Sequence, residues 1–248
     1  MTTKKRILFI AENVTLAHVA RLIVLATSLR AENNYDILFA TGNDARKLVE
    51  ESGFKFHPIP TLSSSDFIKR LAKGERIYTY SELKTSVESD LKLIETVNPD
   101  IIIGDFRISL GISTEVNKVP YISLVNAHWS PYSLSNFPFP EHPMSNVFGL
   151  TLSQAIFNLI KPIILYYHSR PFNAVRKFYN LKPLSSLRHI YSYGKWVLYP
   201  DIPELAPTTQ LPDNHKYIGP IIWSPDIDLP DWWQEMRESN KPIIYLTL

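Results

Sequence analysis

Short apolar runs alternate with helix signals through the first half of this 248-residue chain. The runs at residues 7–11, 35–41 and 101–105 are rich in β-branched and aromatic side chains, with little polar alternation. Such runs are typical of parallel strands that are buried on both faces of a sheet. Because parallel strands need crossover connections, the alternation predicts a doubly wound, Rossmann-like α/β domain.

The remaining elements follow the same alternation. Residues 61–80 are predicted as a polar connection, and residues 150–179 as a helical stretch that Pro162 kinks or breaks. The other predicted elements are helices at 16–30, from 44 to about 53, up to 97 and at 109–118, and strands at 54–59, 120–125 and 196–199.

Composition narrows the classes of function. Lys and Arg total 26 and Asp and Glu total 24, a net charge of +2 that argues against a nucleic-acid-binding protein. The absence of cysteine excludes disulfides and thiolate metal sites, and fits a reducing compartment. His57 and the Glu141-His142 pair lack partners at metal-ligand spacing, and no glycine-rich phosphate loop is present. We therefore predict neither a metal nor a cofactor.

Two apolar segments resemble a signal peptide or a membrane-spanning helix in composition, but both are too short. The N-terminal run ends at Glu12 after five residues, which is shorter than the core of a signal peptide. The apolar stretch at residues 155–167 is interrupted by Asn158 and by Lys161-Pro162, which makes it too short to span a bilayer. The sequence thus predicts a cytoplasmic protein without an integral membrane segment.

Two polar residues fall where an open parallel sheet binds its ligands, at the carboxyl ends of the strands where the strand order reverses. His18 follows the first strand, and Asp105 ends the strand at 101–105. A neutral imidazole can accept the proton of an attacking hydroxyl, and a carboxylate on its other nitrogen fixes the tautomer. Each residue also has a purely structural interpretation. His18 could be a packed or solvated histidine, and Asp105 could cap the next helix.

Four segments, in this order, resemble the nucleotide-sugar-dependent glycosyltransferases of the UDP-glycosyltransferase family, particularly its bacterial macrolide branch. Residues 15–26 are similar to its Gly-His-x-x-Pro segment, and residues 98–105 to its Pro-Asp-hydrophobic-Asp strand. Residues 217–220 resemble the Gly-Pro before the interdomain linker, and residues 241–248 the strand that opens the second domain. Ala17 and Arg21 depart from the pattern, where the family has glycine and proline.

The resemblance implies the N-terminal half of a two-domain GT-B glycosyltransferase. In that family the N-terminal domain binds the acceptor, and the C-terminal domain binds the nucleotide-sugar. The implied reaction is metal-free hexosyl transfer with inversion, from a UDP-sugar to a hydroxyl of a hydrophobic natural product. His18 would be the general base and Asp105 the carboxylate that orients it.

The region at residues 126–143 holds aromatic clusters and four of the 19 prolines, without periodicity. Loops of this length in a compact domain are more often functional than filler. Aromatic faces suit a flat or greasy acceptor, but the same side chains could simply pack the loop against the domain. The residues predicted to bind the acceptor are Asn126, His128, Trp129, Tyr132, Phe137 and Phe139.

Three segments make up the predicted domain organisation. Residues 1–215 form the acceptor domain, residues 216–240 a proline-rich linker, and residues 241–248 the first strand of a missing donor domain. The resemblance places the donor site in that second domain, and therefore outside this chain. Two alternatives stay open: a truncated, non-catalytic module that binds a hydrophobic ligand or a partner, and one subunit of a split transferase.

Overall fold

A seven-stranded parallel sheet forms the centre of the structure, a computed structural model that describes residues 4–135, 144–244 and 246. The strand order is β3-β2-β1-β4-β5-β6-β7, which confirms the predicted doubly wound α/β fold. The strands are β1 (Lys5–Ala11), β2 (Tyr35–Thr41), β3 (Lys55–Pro58), β4 (Ile101–Asp105), β5 (Tyr121–Leu124), β6 (Trp196–Tyr199) and β7 (His215–Tyr217).

Helices connect the strands. Two short 3-10 helices, Asn43–Ala45 and Ala127–Trp129, come directly before Arg46 and Ser130. The α-helices are α1 (Leu16–Ala31), α2 (Arg46–Glu51), α3 (Ser64–Ala72), α4 (Tyr80–Val97), α5 (Leu110–Asn117), α6 (Met144–Phe178), α7 (Leu187–Tyr191) and α8 (Trp232–Glu238).

The strand order reverses between β1 and β4. The chain proceeds from β1 outward to β3, then returns to place β4 on the other side of β1. Ala11 at the end of β1 is in register with Asp105 at the end of β4. Because the segments after these two strands leave in opposite directions, a crevice opens between them at the carboxyl edge of the sheet. The two predicted catalytic residues, His18 and Asp105, follow β1 and end β4.

The predicted polar connection at residues 61–80 contains a helix, α3. Its N-cap is Ser63, whose hydroxyl accepts a hydrogen bond from the backbone N–H of Asp66. The next helix, α4, begins with a capping box in which Thr79 and Glu82 satisfy each other's backbone N–H groups. Arg70 of α3 donates two hydrogen bonds to the Glu82 carboxylate, so this ion pair joins the two helices.

Helix α6 continues through Pro162, contrary to the predicted kink or break at that residue. The departure from helical dihedral angles lies instead at Gly149, where φ is 71°. Pro162 and Asn158 are both exposed, so water can reach the Asn158 carbonyl that lacks its helical donor. In the part of the chain that the structure describes, residues 149–178 are the one helix long and apolar enough to cross a membrane. The predicted interruption of this apolar stretch is therefore wrong.

The segment after β6 differs from its prediction at two places. Strand β7 includes Lys216 and Tyr217, so the sheet extends two residues into the predicted linker because these residues pair in parallel with β6. At the other end, residues 241–244 and 246 form no strand, and Ile244 and Leu246 are exposed. Strand geometry requires a hydrogen-bonded neighbour, and no described strand adjoins these residues. The second domain stays a prediction.

Candidate active site

His18 and Asp105 meet across the crevice at the switch point. His18 lies in the first turn of α1, and its Nδ1 is 2.8 Å from Oδ1 of Asp105 at the end of β4. The carboxylate side chain is 1% exposed and the imidazole 14% exposed. The sheet register brings them together, because Asp105 lies beside the last residue of β1 and α1 begins five residues later.

Arg21 is the third member of this cluster. It lies one turn after His18 on α1, and it donates from Nε to Oδ2 of Asp105 (3.0 Å) and from Nη2 to Oδ1 (2.9 Å). Its Nη1 donates to Oδ1 of Asn126, 2.9 Å away. The same Nη2 is 3.1 Å from Nδ1 of His18. The carboxylate of Asp105 is thus shared between an imidazole and a guanidinium.

Because the carboxylate is shared, the ring nitrogen that carries the proton determines whether His18 can act as a base. When Nδ1 carries it, the ring donates to Asp105, and Nε2 presents a lone pair that can accept a proton. When Nδ1 instead accepts from Arg21, Nε2 carries the proton and the ring cannot act as a base. No residue in the described ranges bonds to Nε2. The cluster is chemically competent for general-base catalysis in the first tautomer.

A row of aromatic rings extends from the imidazole. Phe106 stacks on His18 with the ring centroids 4.6 Å apart, and Tyr191 stacks on the other side of Phe106 at 5.0 Å. Trp129 packs against Tyr191 at 4.7 Å, and Phe67 of α3 contacts Phe106 in a T-shaped arrangement. Phe106 has a φ of 57°, a left-handed conformation that is uncommon for a bulky residue. This turn places its ring beneath the imidazole.

The predicted acceptor residues divide into two groups. Asn126 bonds both to Arg21 and to Asp201, and Trp129 belongs to the aromatic row, so both are joined to the dyad. Tyr132 packs against His215 in a T-shaped arrangement at the end of the sheet, and within the described chain no hydrogen bond or ring contact joins it to the dyad. His128 is exposed beside Trp129. Phe137 and Phe139 lie outside the described residues.

A buried ion cluster behind the dyad was not predicted from the sequence. Arg107, 1% exposed, donates to Oε2 of Glu12 (2.8 Å), to Oδ1 of Asp90 (2.8 Å) and to the carbonyl of Pro60 (2.7 Å). Ser109 donates to the other oxygen of Asp90. Arg107 is two residues after Asp105, so the cluster anchors the turn that presents the dyad carboxylate and Phe106.

Burial and ion pairing compete within this cluster. Burial raises the pKa of Glu12 above its ordinary value, although Arg107 opposes the shift. Burial alone would lower the pKa of Arg107, but the carboxylates of Asp90 and Glu12 outweigh it and the pKa is raised. The guanidinium is therefore charged at any physiological pH. In the described part of the chain no group of three His, Cys, Asp or Glu side chains is placed to hold a metal.

Relatives of known function match almost the whole length of this chain. No family model matches it. It is 38% identical over 246 residues to an "Inactive PGL/p-HBAD biosynthesis glycosyltransferase" of Mycobacterium bovis, covering 99% of this chain and 67% of that protein. It is 39% identical to a "PGL/p-HBAD biosynthesis rhamnosyltransferase" of Mycobacterium bovis, covering 99% of this chain and 54% of that protein. The chain thus spans between about half and two thirds of these relatives.

Among solved structures, the fold is similar to that of SsfS6, a glycosyltransferase of Streptomyces sp. SF2575. The TM-score is 0.60 at 15% sequence identity, over 92% of this chain and 58% of that one. At this identity the similarity concerns the fold alone. It confirms the prediction that this α/β domain has the architecture of the N-terminal half of a GT-B protein.

Proposed function

Because the chain belongs to the glycosyltransferase family of the mycobacterial PGL/p-HBAD biosynthesis proteins, we propose that it is the acceptor-binding part of a sugar-transferring enzyme. The proposed reaction moves a hexosyl group from a nucleotide-diphosphate sugar, such as a UDP-sugar, to a hydroxyl of a hydrophobic molecule. Transfer inverts the anomeric centre. The relatives extend beyond the matched region, and we place the donor site in that remaining part.

The observation that carries this proposal is the His18–Asp105 contact at the switch point. An acceptor hydroxyl must lose its proton as its oxygen attacks the anomeric carbon and the bond to the nucleotide diphosphate breaks. His18 Nε2 takes that proton, while Asp105 accepts from Nδ1–H and stabilises the imidazolium that forms. The nucleotide diphosphate leaves with the bonding electron pair, so atoms and charges balance without a metal in the step.

The aromatic row supports a hydrophobic acceptor. Trp129, Tyr191 and Phe106 pack ring against ring toward the imidazole, and Trp129 and Phe106 stay partly exposed. The exposed parts of such rings suit flat or apolar groups, and the polar end of the acceptor would then lie at His18. This arrangement orients a hydroxyl on a mostly apolar molecule toward the base.

The test uses the full-length protein and a panel of UDP- and dTDP-sugars with hydrophobic alcohols and phenols. We expect transfer by the unchanged protein and a loss of about 100-fold or more in kcat for His18→Gln, since a positioned base contributes about that much. Nucleotide-sugar binding should be retained in the variant. Transfer that survives unchanged in His18→Gln would disprove the role of this residue.

A second candidate function is a non-catalytic binding protein of the same fold. Two observations favour it: Arg21 occupies both oxygens of the dyad carboxylate, and one relative is named inactive. Such a protein would bind a hydrophobic ligand or a partner without transferring sugar. A split transferase, with the donor domain on a separate chain, is the remaining alternative. Saturable acceptor binding without transfer, with every donor and with the complete protein, would favour the binding protein.

A further inference from the structure

Helix α6 carries an exposed apolar stripe. Leu152, Leu159, Ile163 and Tyr166 are separated by seven, four and three residues, and these spacings place them on one face of a helix. Their exposed fractions are 50%, 79%, 69% and 63%. A soluble helix normally turns such a stripe toward the core, and exposed apolar patches mark interaction sites.

Helix α3 adds a second exposed apolar face. Ile68 and Leu71 are 63% and 61% exposed, while the half-buried Phe67 of the same helix packs against Phe106 in the site. The turn after α3 brings Arg76 over the ring of Tyr167 on α6, with the guanidinium carbon 3.9 Å from the ring centroid. This contact joins the two helices beside the candidate active site.

The charged residues of α6 are all basic. Helix α6 has four basic residues and no Asp or Glu in 35 positions. Of these, Arg170 is exposed, and Lys161 lies within the apolar stretch. On α3 and the turn that follows it, Lys69 and Lys73 are exposed near Asp66 and Glu75, and Nζ of Lys73 is 3.9 Å from the Glu75 carboxylate. Two tyrosines, Tyr166 and Tyr167, stand at one end of the stripe, where amphipathic rings suit the boundary between hydrocarbon and water.

We propose that this surface, defined as the exposed faces of α3 and of α6 from Leu152 to Arg170, binds an anionic membrane surface. Apolar side chains would enter the region between headgroups and acyl chains, and the lysines and arginines would contact acidic headgroups. The charged residues of α6 are all basic, which makes this surface the charge complement of acidic headgroups. The acceptor side of the domain would then face the bilayer.

The helix lies on the bilayer and does not cross it. Its C-terminal part is built into the domain, since Phe172, Val175 and Arg176 are buried and Arg176 donates to the Gly111 carbonyl and to Glu115. Crossing would require that part to leave the core. The outward stripe alone is available, which is the geometry of an interfacial amphipathic helix.

Co-sedimentation with vesicles tests the proposal on the protein alone. We expect binding to mixed phosphatidylcholine/phosphatidylglycerol vesicles, weak binding to pure phosphatidylcholine, and a loss of binding as salt is raised. Leu159→Ser with Ile163→Ser should weaken binding by about tenfold or more. Lys69→Glu with Lys73→Glu should do the same. Far-UV circular dichroism confirms that each variant is folded.

Two matched controls distinguish binding through this surface from non-specific adsorption to vesicles. Leu205→Ser removes a leucine of similar exposure, 82% against 79% for Leu159, outside α3 and α6. Lys4→Glu with Lys5→Glu reverses charge at the start of β1, at the opposite edge of the sheet from the site. Both controls should bind like the unchanged protein. The proposal is overturned if anionic vesicles are not bound, if the surface variants bind normally, or if the controls lose as much. The assay involves no sugar, so failure leaves the proposed transfer reaction untouched.

Discussion

Arg21 and Asp105 form a two-point ion pair at the switch point, with N–O distances of 3.0 and 2.9 Å. A planar guanidinium matches a carboxylate in this geometry, so Arg21 fixes the side-chain orientation of Asp105. The pattern that residues 15–26 resemble has proline at this position. In this chain Arg21 orients the carboxylate and also competes with His18 for it. We expect the balance between these two effects to decide how well the proposed dyad works.

Arg21→Lys retains the positive charge but loses the forked hydrogen bonds. Because an ammonium cannot hold both oxygens, we expect Asp105 to orient His18 less well and kcat to fall by about tenfold with KM little changed. Steady-state kinetics of the complete protein and the nitrogen-15 shifts of the His18 ring, which report the tautomer, measure both effects. Arg30→Lys, on the same helix and away from the dyad, is the control. Unchanged kcat and tautomer would show that the fork has no positioning role.

Much of the fold could be predicted because most of its strands are apolar runs, and the central strands β1 and β4 are buried on both faces. Strands β2, β4 and β6 have the predicted bounds, since apolar β-branched runs between turn residues have few other interpretations. Strand β7 was missed because its three residues, His-Lys-Tyr, lie in a proline-rich segment. It is an edge strand that pairs only with β6, so its sequence carries little apolar signal. Helix α3 was missed because its residues are mostly polar and exposed, which is also typical of a connecting loop. Ser63 followed by Asp66 was a helix N-cap signal that could have identified it.

The site was predictable where it depends on strand ends. The rule that ligands bind at the carboxyl edge, together with the family pattern, selected His18 and Asp105, and the sheet register places them in contact. The role of Arg21 in the cluster was not predicted, because side-chain hydrogen bonds depend on geometry that sequence spacing leaves open. The cluster of Glu12, Asp90 and Arg107 was missed for the same reason, since Glu12 and Arg107 are separated by 95 residues.

Trp129 is predicted to report acceptor binding. Its ring ends the row that leads to His18, so an acceptor on that row changes its environment. We expect Trp129→Leu to remove most of the intrinsic fluorescence change seen on titration with a hydrophobic acceptor, and to weaken binding by about tenfold. Trp232→Leu, on the exposed face of α8, should leave the response intact. A full response in Trp129→Leu would place the acceptor elsewhere.

Arg107 is predicted to be essential for stability. Arg107→Met leaves the carboxylates of Glu12 and Asp90 buried without their cation, which should cost about 3–5 kcal/mol in the free energy of unfolding. Adding Glu12→Gln and Asp90→Leu should recover much of this loss, because the uncompensated charges are then gone. Urea unfolding measures each variant. Arg46→Met, which breaks an exposed pair on α2, should cost about 0.5 kcal/mol or less. Similar costs for both arginines would contradict the assigned role.

Glu82 is predicted to make stability depend on pH in the acid range. Hydrogen bonds from Arg70 lower the pKa of Glu82 from 4.5 to about 2, with the Thr79 capping contacts acting in the same direction. A lowered folded-state pKa stabilises the protein above the ordinary value, and this stabilisation is lost as pH falls from about 4.5 toward 2. Because the side chain is partly exposed, we expect about 1 kcal/mol after solvent screening.

Glu82→Gln isolates this contribution, since glutamine can still accept the Thr79 N–H in the capping box but carries no charge. At neutral pH the variant should unfold at lower urea concentration than the unchanged protein, and the difference should shrink as pH falls toward 2. Glu95→Gln, an exposed position on the same helix, should show neither effect. A difference for Glu82→Gln that stays constant over this pH range would mean that charge at Glu82 does not stabilise the α3–α4 junction.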